Sequence, residues 1–139
     1  MQNARDIFTL SIPVASAAVV PYRGVDFAGV TIAAAGAKCL GISKRAAAIG
    51  QPFEVAVLGT AVCESGGVFA AGVPLTLDNL GRVVAASALA IAAGAVAVTS
   101  VAANGAADLT GGILPQWIVG DSLEASAGAG VFVEVLLAR

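Results

Sequence analysis

The side chains that most often perform catalysis are scarce in this sequence. Histidine is absent from all 139 residues, which removes the commonest general base and the commonest transition-metal ligand. A Ser-His-Asp triad, a Cys-His pair and an HExxH zinc site are therefore impossible. The residue types left for such chemistry are nine Asp and Glu residues and two cysteines.

The carboxylates are poorly spaced for paired acid–base catalysis. Asp121 and Glu124 lie three positions apart, an odd spacing that in a strand directs the two side chains to opposite faces. Asp78 lies in a turn-like Asp-Asn-Leu-Gly segment, where we expect its side chain to accept hydrogen bonds from backbone amides. The sequence therefore predicts no catalytic residues and a protein that is not an enzyme.

The cysteines and glycines do not form a recognisable binding motif. Cys39 and Cys63 have no CxxC spacing, and their small apolar neighbours predict two buried thiols rather than a disulfide. The segment from Gly128 to Val133 begins like a GxGxxG loop but lacks the third glycine, so it does not form a dinucleotide site. We therefore expect neither a metal nor a cofactor.

The composition describes a small apolar domain with a thin core. Hydrophobic residues make up 58% of the chain and charged residues 12%, against about 25% charged in typical globular proteins, so an intrinsically disordered chain is excluded. Aromatic residues are only 5%, and alanine and valine dominate the apolar residues, so each buried side chain removes little surface from water. Small domains with so little buried surface usually gain stability by oligomerisation or by docking on a large partner.

The charge of the chain disfavours binding to nucleic acid. Seven basic and nine acidic residues give a net charge of −2 and a pI of about 4.8, and the basic residues are scattered. The first residues are a poor match to a signal peptide, because Pro13 interrupts the short apolar run. We therefore expect a product made in the cytoplasm.

An uncharged segment, residues 83–107, supports an alternative function. It is long enough to cross a bilayer. Its apolar residues are mostly alanine, which is nearly neutral for membrane insertion, and the strongly inserting side chains are only Leu89 and Ile91. A small integral membrane protein that spans the bilayer through residues 83–107 is therefore kept as an alternative.

The remaining pattern has the period of β-strands. Apolar residues alternate with other side chains around Phe8-Leu10-Ile12, Phe53-Val55-Val57 and Val131-Val133-Val135. Shorter β-like runs occupy residues 19–22, 38–43, 59–63, 73–77, 82–84, 95–99 and 116–123. Glycine-rich turns separate the runs at intervals of about ten residues. These features predict an all-β fold, a small barrel or sandwich of short strands, with room for one short Ala-rich helix over residues 85–93.

Three segments resemble the small capsid decoration, or cement, proteins of tailed bacteriophages, the functional counterparts of the lambda head-stabilising protein. The first combines FEVAVLGTA (53–61), AGVPL (71–75) and DNLGRVV (78–84). The second combines IVGDSLEAS (118–126) with VFVEVLL (131–137), and the third joins AGV (28–30) to LGI (40–42). The resemblance covers most of the chain beyond Val25 and rests on an ordered Gly/Ala/Val pattern.

The resemblance implies a β-rich structural protein of the virion. Proteins of this kind bind the outside of the head shell, commonly as trimers at local threefold positions, and hold it against the pressure of packaged DNA. The implied partners are the major capsid protein of a phage and further copies of the same chain in a homotrimer, with no nucleic acid and no membrane. The implied location is the capsid exterior, after assembly in the host cytoplasm.

Within this interpretation, residues 1–24 form an N-terminal arm with the first strands, and residues 25–139 form a single β-rich decoration domain. Phe8, Leu10 and Ile12 are the candidate capsid-contact residues, because an extended arm can add a strand to an exposed sheet edge. The alternative is that they form an ordinary first strand of the barrel.

Trp117, the only tryptophan, fits either a core position or a subunit-interface anchor, and both assignments stay open at this point. A third function, a ligand-binding β module of a head spike, is disfavoured by the scarcity of aromatic clusters.

Overall fold

The computed structural model describes residues 4–87 and 116–137. The regular elements of these residues are ten β-strands. In chain order they are β1 (Asp6–Ile12), β2 (Gly24–Val25), β3 (Gly41–Ser43), β4 (Phe53–Glu64), β5 (Val68–Phe69), β6 (Pro74–Leu77), β7 (Val83–Ala85), β8 (Gly120–Ser122), β9 (Ser126–Ala127) and β10 (Phe132–Leu137). The predicted all-β fold is confirmed. The predicted Ala-rich helix over residues 85–93 lies mostly outside the described residues.

Eight of the strands form one antiparallel sheet that closes almost completely into a barrel. Its order is β2-β3-β4-β10-β8-β6-β7, with β1 also paired to β4, while β5 and β9 form a separate two-stranded sheet. The edge strand β7 approaches the end of β4, where Val83 forms a parallel bridge with Ser65. There the Gly66 amide donates a 2.8 Å hydrogen bond to the Val83 carbonyl. Closure of this kind removes most exposed strand edges.

The long strand β4 organises the barrel. Its first half pairs with β1 and β3, and its second half pairs with β10. Gly59 lies between the halves with a φ of 101°, and a Cβ atom placed there would lie 2.4 Å from the Arg5 carbonyl oxygen. Glycine is therefore required where β1 crosses the strand with a bulge in register. The sequence pattern predicts two strands here, whereas the structure has one strand with a bulge.

The core consists of two clusters of buried side chains. The larger fills the barrel and includes Ile42, Leu75, Leu77, Val133 and Val135. The smaller cluster contains Phe53, Val55, Val25 and Val19 with two alanines, and partly buried Ile12 packs against it. Valine and alanine supply much of both clusters, as the composition predicts, so Phe53 is the largest side chain that is fully buried.

Some local predictions are wrong. Residues 19–22 do not form a strand: Val19 makes only an isolated bridge to Ala47. Pro21 has no amide hydrogen to donate, and Tyr22 turns the chain with a φ of 60°. The two-residue strands β2, β5 and β9 are too short to leave a period-two pattern. The run predicted at residues 95–99 lies outside the described residues.

Of the uncharged segment that the membrane alternative requires, residues 83–107, the structure describes only residues 83–87. Val83–Ala85, the first residues of the uncharged segment, form strand β7. Residues 88–107 are outside the described ranges. Among residues 4–87 and 116–137, no helix has the length and apolar character needed to cross a bilayer.

Candidate docking surfaces

The Asp78 carboxylate has the structural role that the sequence predicts. One of its oxygens accepts hydrogen bonds from the amides of Leu80 (2.8 Å) and Arg82 (2.9 Å). The other oxygen accepts a 2.8 Å bond from the Arg82 Nε and completes an ion pair with the same guanidinium. Both side chains are mostly buried. Asp78 therefore fixes the turn between β6 and β7, as predicted for an Asx-type turn.

Asp121 and Glu124 do not form a catalytic pair. Asp121 lies in β8 and is exposed, whereas Glu124 lies beyond the strand and accepts a 3.1 Å hydrogen bond from the Glu134 amide. Across the described ranges, no three His, Cys, Asp or Glu side chains are grouped so that they could hold a metal ion.

Cys39 and Cys63 are both buried thiols that are not joined by a disulfide, which confirms the prediction. Both lie in the larger core cluster. Burial raises the pKa of the Cys63 thiol well above its usual range, and the nearby Cys39 adds to this effect. A thiol that stays neutral and buried is a poor nucleophile, so these residues act as small core side chains.

The predicted contact residues Phe8, Leu10 and Ile12 all lie on β1, which pairs with β4 of the same chain. Phe8 is 53% exposed, while Leu10 is half-buried and Ile12 packs against Phe53 in the smaller cluster. The bulge interrupts the alternation of faces, so the neighbouring Ile7 is also exposed, at 76%. The exposed apolar surface of β1 is therefore the pair Ile7 and Phe8, a pairing that the period-two pattern does not predict.

Polar contacts hold the beginning of β1 against the barrel. The Lys44 Nζ lies 2.7 Å from an Asp6 carboxylate oxygen, and the Thr9 hydroxyl donates to the same oxygen. The hydrogen bond from Lys44, followed by that from Thr9, lowers the pKa of Asp6 from 3.8 to about 2. The charged carboxylate is thus stabilised in the folded chain.

This contact predicts an acid-sensitive contribution to stability. Because the folded pKa of Asp6 is lower than the unfolded value, the contribution is complete above pH 3.8 and disappears as the pH falls to about 2. Lys44 is substantially exposed, so we expect a contribution of at most about 1 kcal/mol. Urea unfolding of the wild type and of Asp6→Asn is expected to show this difference near neutral pH and to lose it in acid. An equal difference at both pH values would contradict the assignment.

Trp117 lies on the surface, 56% exposed, and not in the core. Its backbone is held from two sides: the amide donates a 3.1 Å hydrogen bond to the Gly36 carbonyl, and the carbonyl accepts a 3.0 Å bond from the Thr76 hydroxyl. The Lys38 Nζ lies 4.9 Å from the centre of the indole ring and 5.5 Å from that of the exposed Phe27. A rigidly held, exposed aromatic side chain is typical of an interface anchor, and that role stays a prediction.

Comparison with known proteins identifies a family and a fold. The family model described as phage cement protein matches residues 4–114. The crystal structure of the N base of head fiber gp8.5 in bacteriophage phi29 is similar with a TM-score of 0.61 and 16% sequence identity, covering 95% of this chain and 96% of that one. At this identity the likeness shows a shared fold. No curated protein matches the sequence.

Proposed function

Because the chain belongs to the phage cement protein family, we propose that it binds the outer surface of a phage capsid as a homotrimer and stabilises the head against the pressure of packaged DNA. The family match over residues 4–114 carries this proposal. A structural role associated with the capsid follows from the family itself. The outer location, the trimer, the major capsid protein as partner and the resistance to pressure are the proposed details.

The surface of the barrel supports a docking function. Several large apolar side chains are at least half exposed, among them Ile7, Phe8, Phe27 and Trp117. A monomer that leaves such groups in water gains by burying them against another protein. Eight charged side chains of the described residues are already paired with one another, which reduces the unpaired charge that docking would have to desolvate.

We assign the capsid contact to the N-terminal part, residues 1–24, and the decoration domain to residues 25–139. Strand β1 pairs with β4, and the structure describes no strand on its other side, so its free edge can accept a strand of the capsid protein. Ile7 and Phe8 would then bury their side chains against the shell. Three such contacts on one trimer act at high effective concentration, so modest single contacts give persistent binding.

The test is co-sedimentation with phage heads that lack the protein. The wild-type chain is expected to pellet with the heads, and Ile7→Asp is expected to bind about tenfold more weakly or worse, because a carboxylate would be desolvated in the contact. Val68→Asp is the matched control, since Val68 is 75% exposed on the separate sheet and Ile7 is 76% exposed. Failure of the wild type to pellet would overturn the proposed function. Undiminished binding of Ile7→Asp would remove β1 from the contact.

A further inference from the structure

Within residues 4–87 and 116–137, Arg5, Lys38 and Asp121 are exposed charged side chains that take part in no ion pair, and Lys38 and Asp121 are opposite in sign. In residues 4–87 and 116–137, four ion pairs join Arg23 to Glu64, Lys44 to Asp6, Arg45 to Glu54 and Arg82 to Asp78. The Asp26 carboxylate accepts hydrogen bonds from two loop amides, and Glu124 accepts one. Lys38 and Asp121 take part in no ion pair in these ranges, and both are exposed. Each lies beside exposed apolar side chains, Lys38 beside Phe27 and Trp117 and Asp121 beside Leu136.

Lys38 lies at the centre of an aromatic patch, defined here as Phe27, Lys38, Trp117 and Ile118. The Lys38 ammonium contacts both aromatic rings. Phe27 is 61% exposed, and Trp117 and Ile118 are about half exposed. Two hydrogen bonds hold the backbone of Trp117. The patch is therefore an exposed, largely apolar surface with one positive charge.

Asp121 lies in an outer row, defined here as Pro74, Asp121, Leu136 and Thr60. These residues are successive cross-strand partners on β6, β8, β10 and β4, so their side chains share one face of the sheet, with about 5 Å between neighbours. Pro74, Asp121 and Leu136 are exposed. The row carries one negative charge beside exposed apolar side chains, and at its end the Arg5 amide donates a 2.7 Å hydrogen bond to the Thr60 hydroxyl.

We infer that these two surfaces bind each other between copies of this chain: the aromatic patch of one copy covers the outer row of the next, and Lys38 forms an ion pair with Asp121 across the contact. The occupant is a second copy because each chain carries both complementary surfaces, and the charges do not meet within one chain. The contact gives Lys38 and Asp121 the ion-pair partner that eight other charged side chains have within the described residues. The inference rests on the homotrimer of the proposed function and names its interface.

The contact joins two different surfaces, so it is a head-to-tail contact. In a closed ring of three copies related by a threefold axis, every aromatic patch covers the outer row of a neighbouring copy. Trp117 and Asp121 are four residues apart in the chain, so their Cα atoms are at most about 14 Å apart. Exposed apolar side chains surround each charge and exclude water from the ion pair, which strengthens it relative to a pair in water.

Charge reversal tests the contact in the full-length chain by analytical ultracentrifugation. The wild type is expected to form a trimer. Lys38→Asp and Asp121→Lys each place like charges together, and each is expected to weaken association about 100-fold. The double variant, with both changes in one chain, restores the opposite charges and is expected to form the trimer again. Arg45→Asp, the same charge change at an exposed position outside both surfaces, is expected to leave the trimer intact.

An equimolar mixture of the two single variants tests whether the contacts close into a three-membered ring. With two kinds of chain and three positions, a mixed trimer always has at least one contact between like charges, so the mixture is expected to form trimers more weakly than the wild type. A single variant or a mixture that forms the trimer as tightly as the wild type would overturn the inference, as would a wild type that stays monomeric at high concentration. A folded double variant that remains monomeric, with circular dichroism like the wild type, would also overturn it. Head sedimentation reports separately on the proposed function.

Discussion

Replacing Gly120 with alanine is expected to destabilise the protein by about 3 kcal/mol. Gly120 lies in β8 opposite Leu137 of β10. A Cβ atom at this position would lie 2.0 Å from the Leu136 carbonyl oxygen. Because the obstacle is backbone and not the end of a flexible side chain, the two strands must separate to admit the methyl group. The pairing of β8 with β10, which joins the two halves of the barrel, would be weakened.

The measurement is urea unfolding at a fixed protein concentration, because association changes apparent stability. Gly128→Ala is the matched control: nothing lies within 4 Å of the added carbon, so we expect a change within about 0.5 kcal/mol. A Gly120→Ala variant as stable as Gly128→Ala would contradict the close approach of the two strands.

Phe53→Ala is expected to have a similar or larger effect, a loss of about 3–5 kcal/mol. Phe53 is fully buried and is the one aromatic side chain in the smaller core cluster. The other members are valines and alanines, which are too short to fill the space that the ring leaves. The cavity would therefore remain, and its cost would add to the loss of buried area.

Thermal and urea unfolding of Phe53→Ala, compared with Phe8→Ala, would check this prediction. Both variants remove the same atoms, but Phe8 is 53% exposed, so we expect its replacement to cost less than about 1 kcal/mol. Equal losses at the two positions would show that the smaller cluster contributes little to stability.

The parts of the fold that follow from local sequence are the strands in which apolar residues alternate along the sequence. Strands β1 and β10 and the first half of β4 have clear alternation, and the sequence predicts all of them. The sequence predicts separate runs at residues 53–57 and 59–63, whereas β4 is one strand that continues through Gly59. The difference depends on the carbonyl of Arg5, more than fifty residues earlier, and local pattern contains no information about such a contact.

The same limit applies to the docking surfaces. The sequence singles out Trp117 by its type but does not predict its exposure, which depends on hydrogen bonds to Gly36 and Thr76. Asp121 has no local signal as an interface residue. Its neighbours Pro74 and Leu136 become neighbours only through strand register. Residue types therefore indicate candidates, while pairing between distant strands decides which of them share a surface.

The position of β10 between β4 and β8 has a consequence for the order of folding. Residues 132–137 pair with residues 59–64, a separation of about 70 residues, and long-range pairing of this kind slows folding because a large loop must close first. On the ribosome, strands β1 to β4 can associate early, but the barrel cannot close until residues 132–137 have emerged. A nascent chain would therefore expose the inner faces of β4 and β6 until these residues have emerged, a state in which chaperones would bind it.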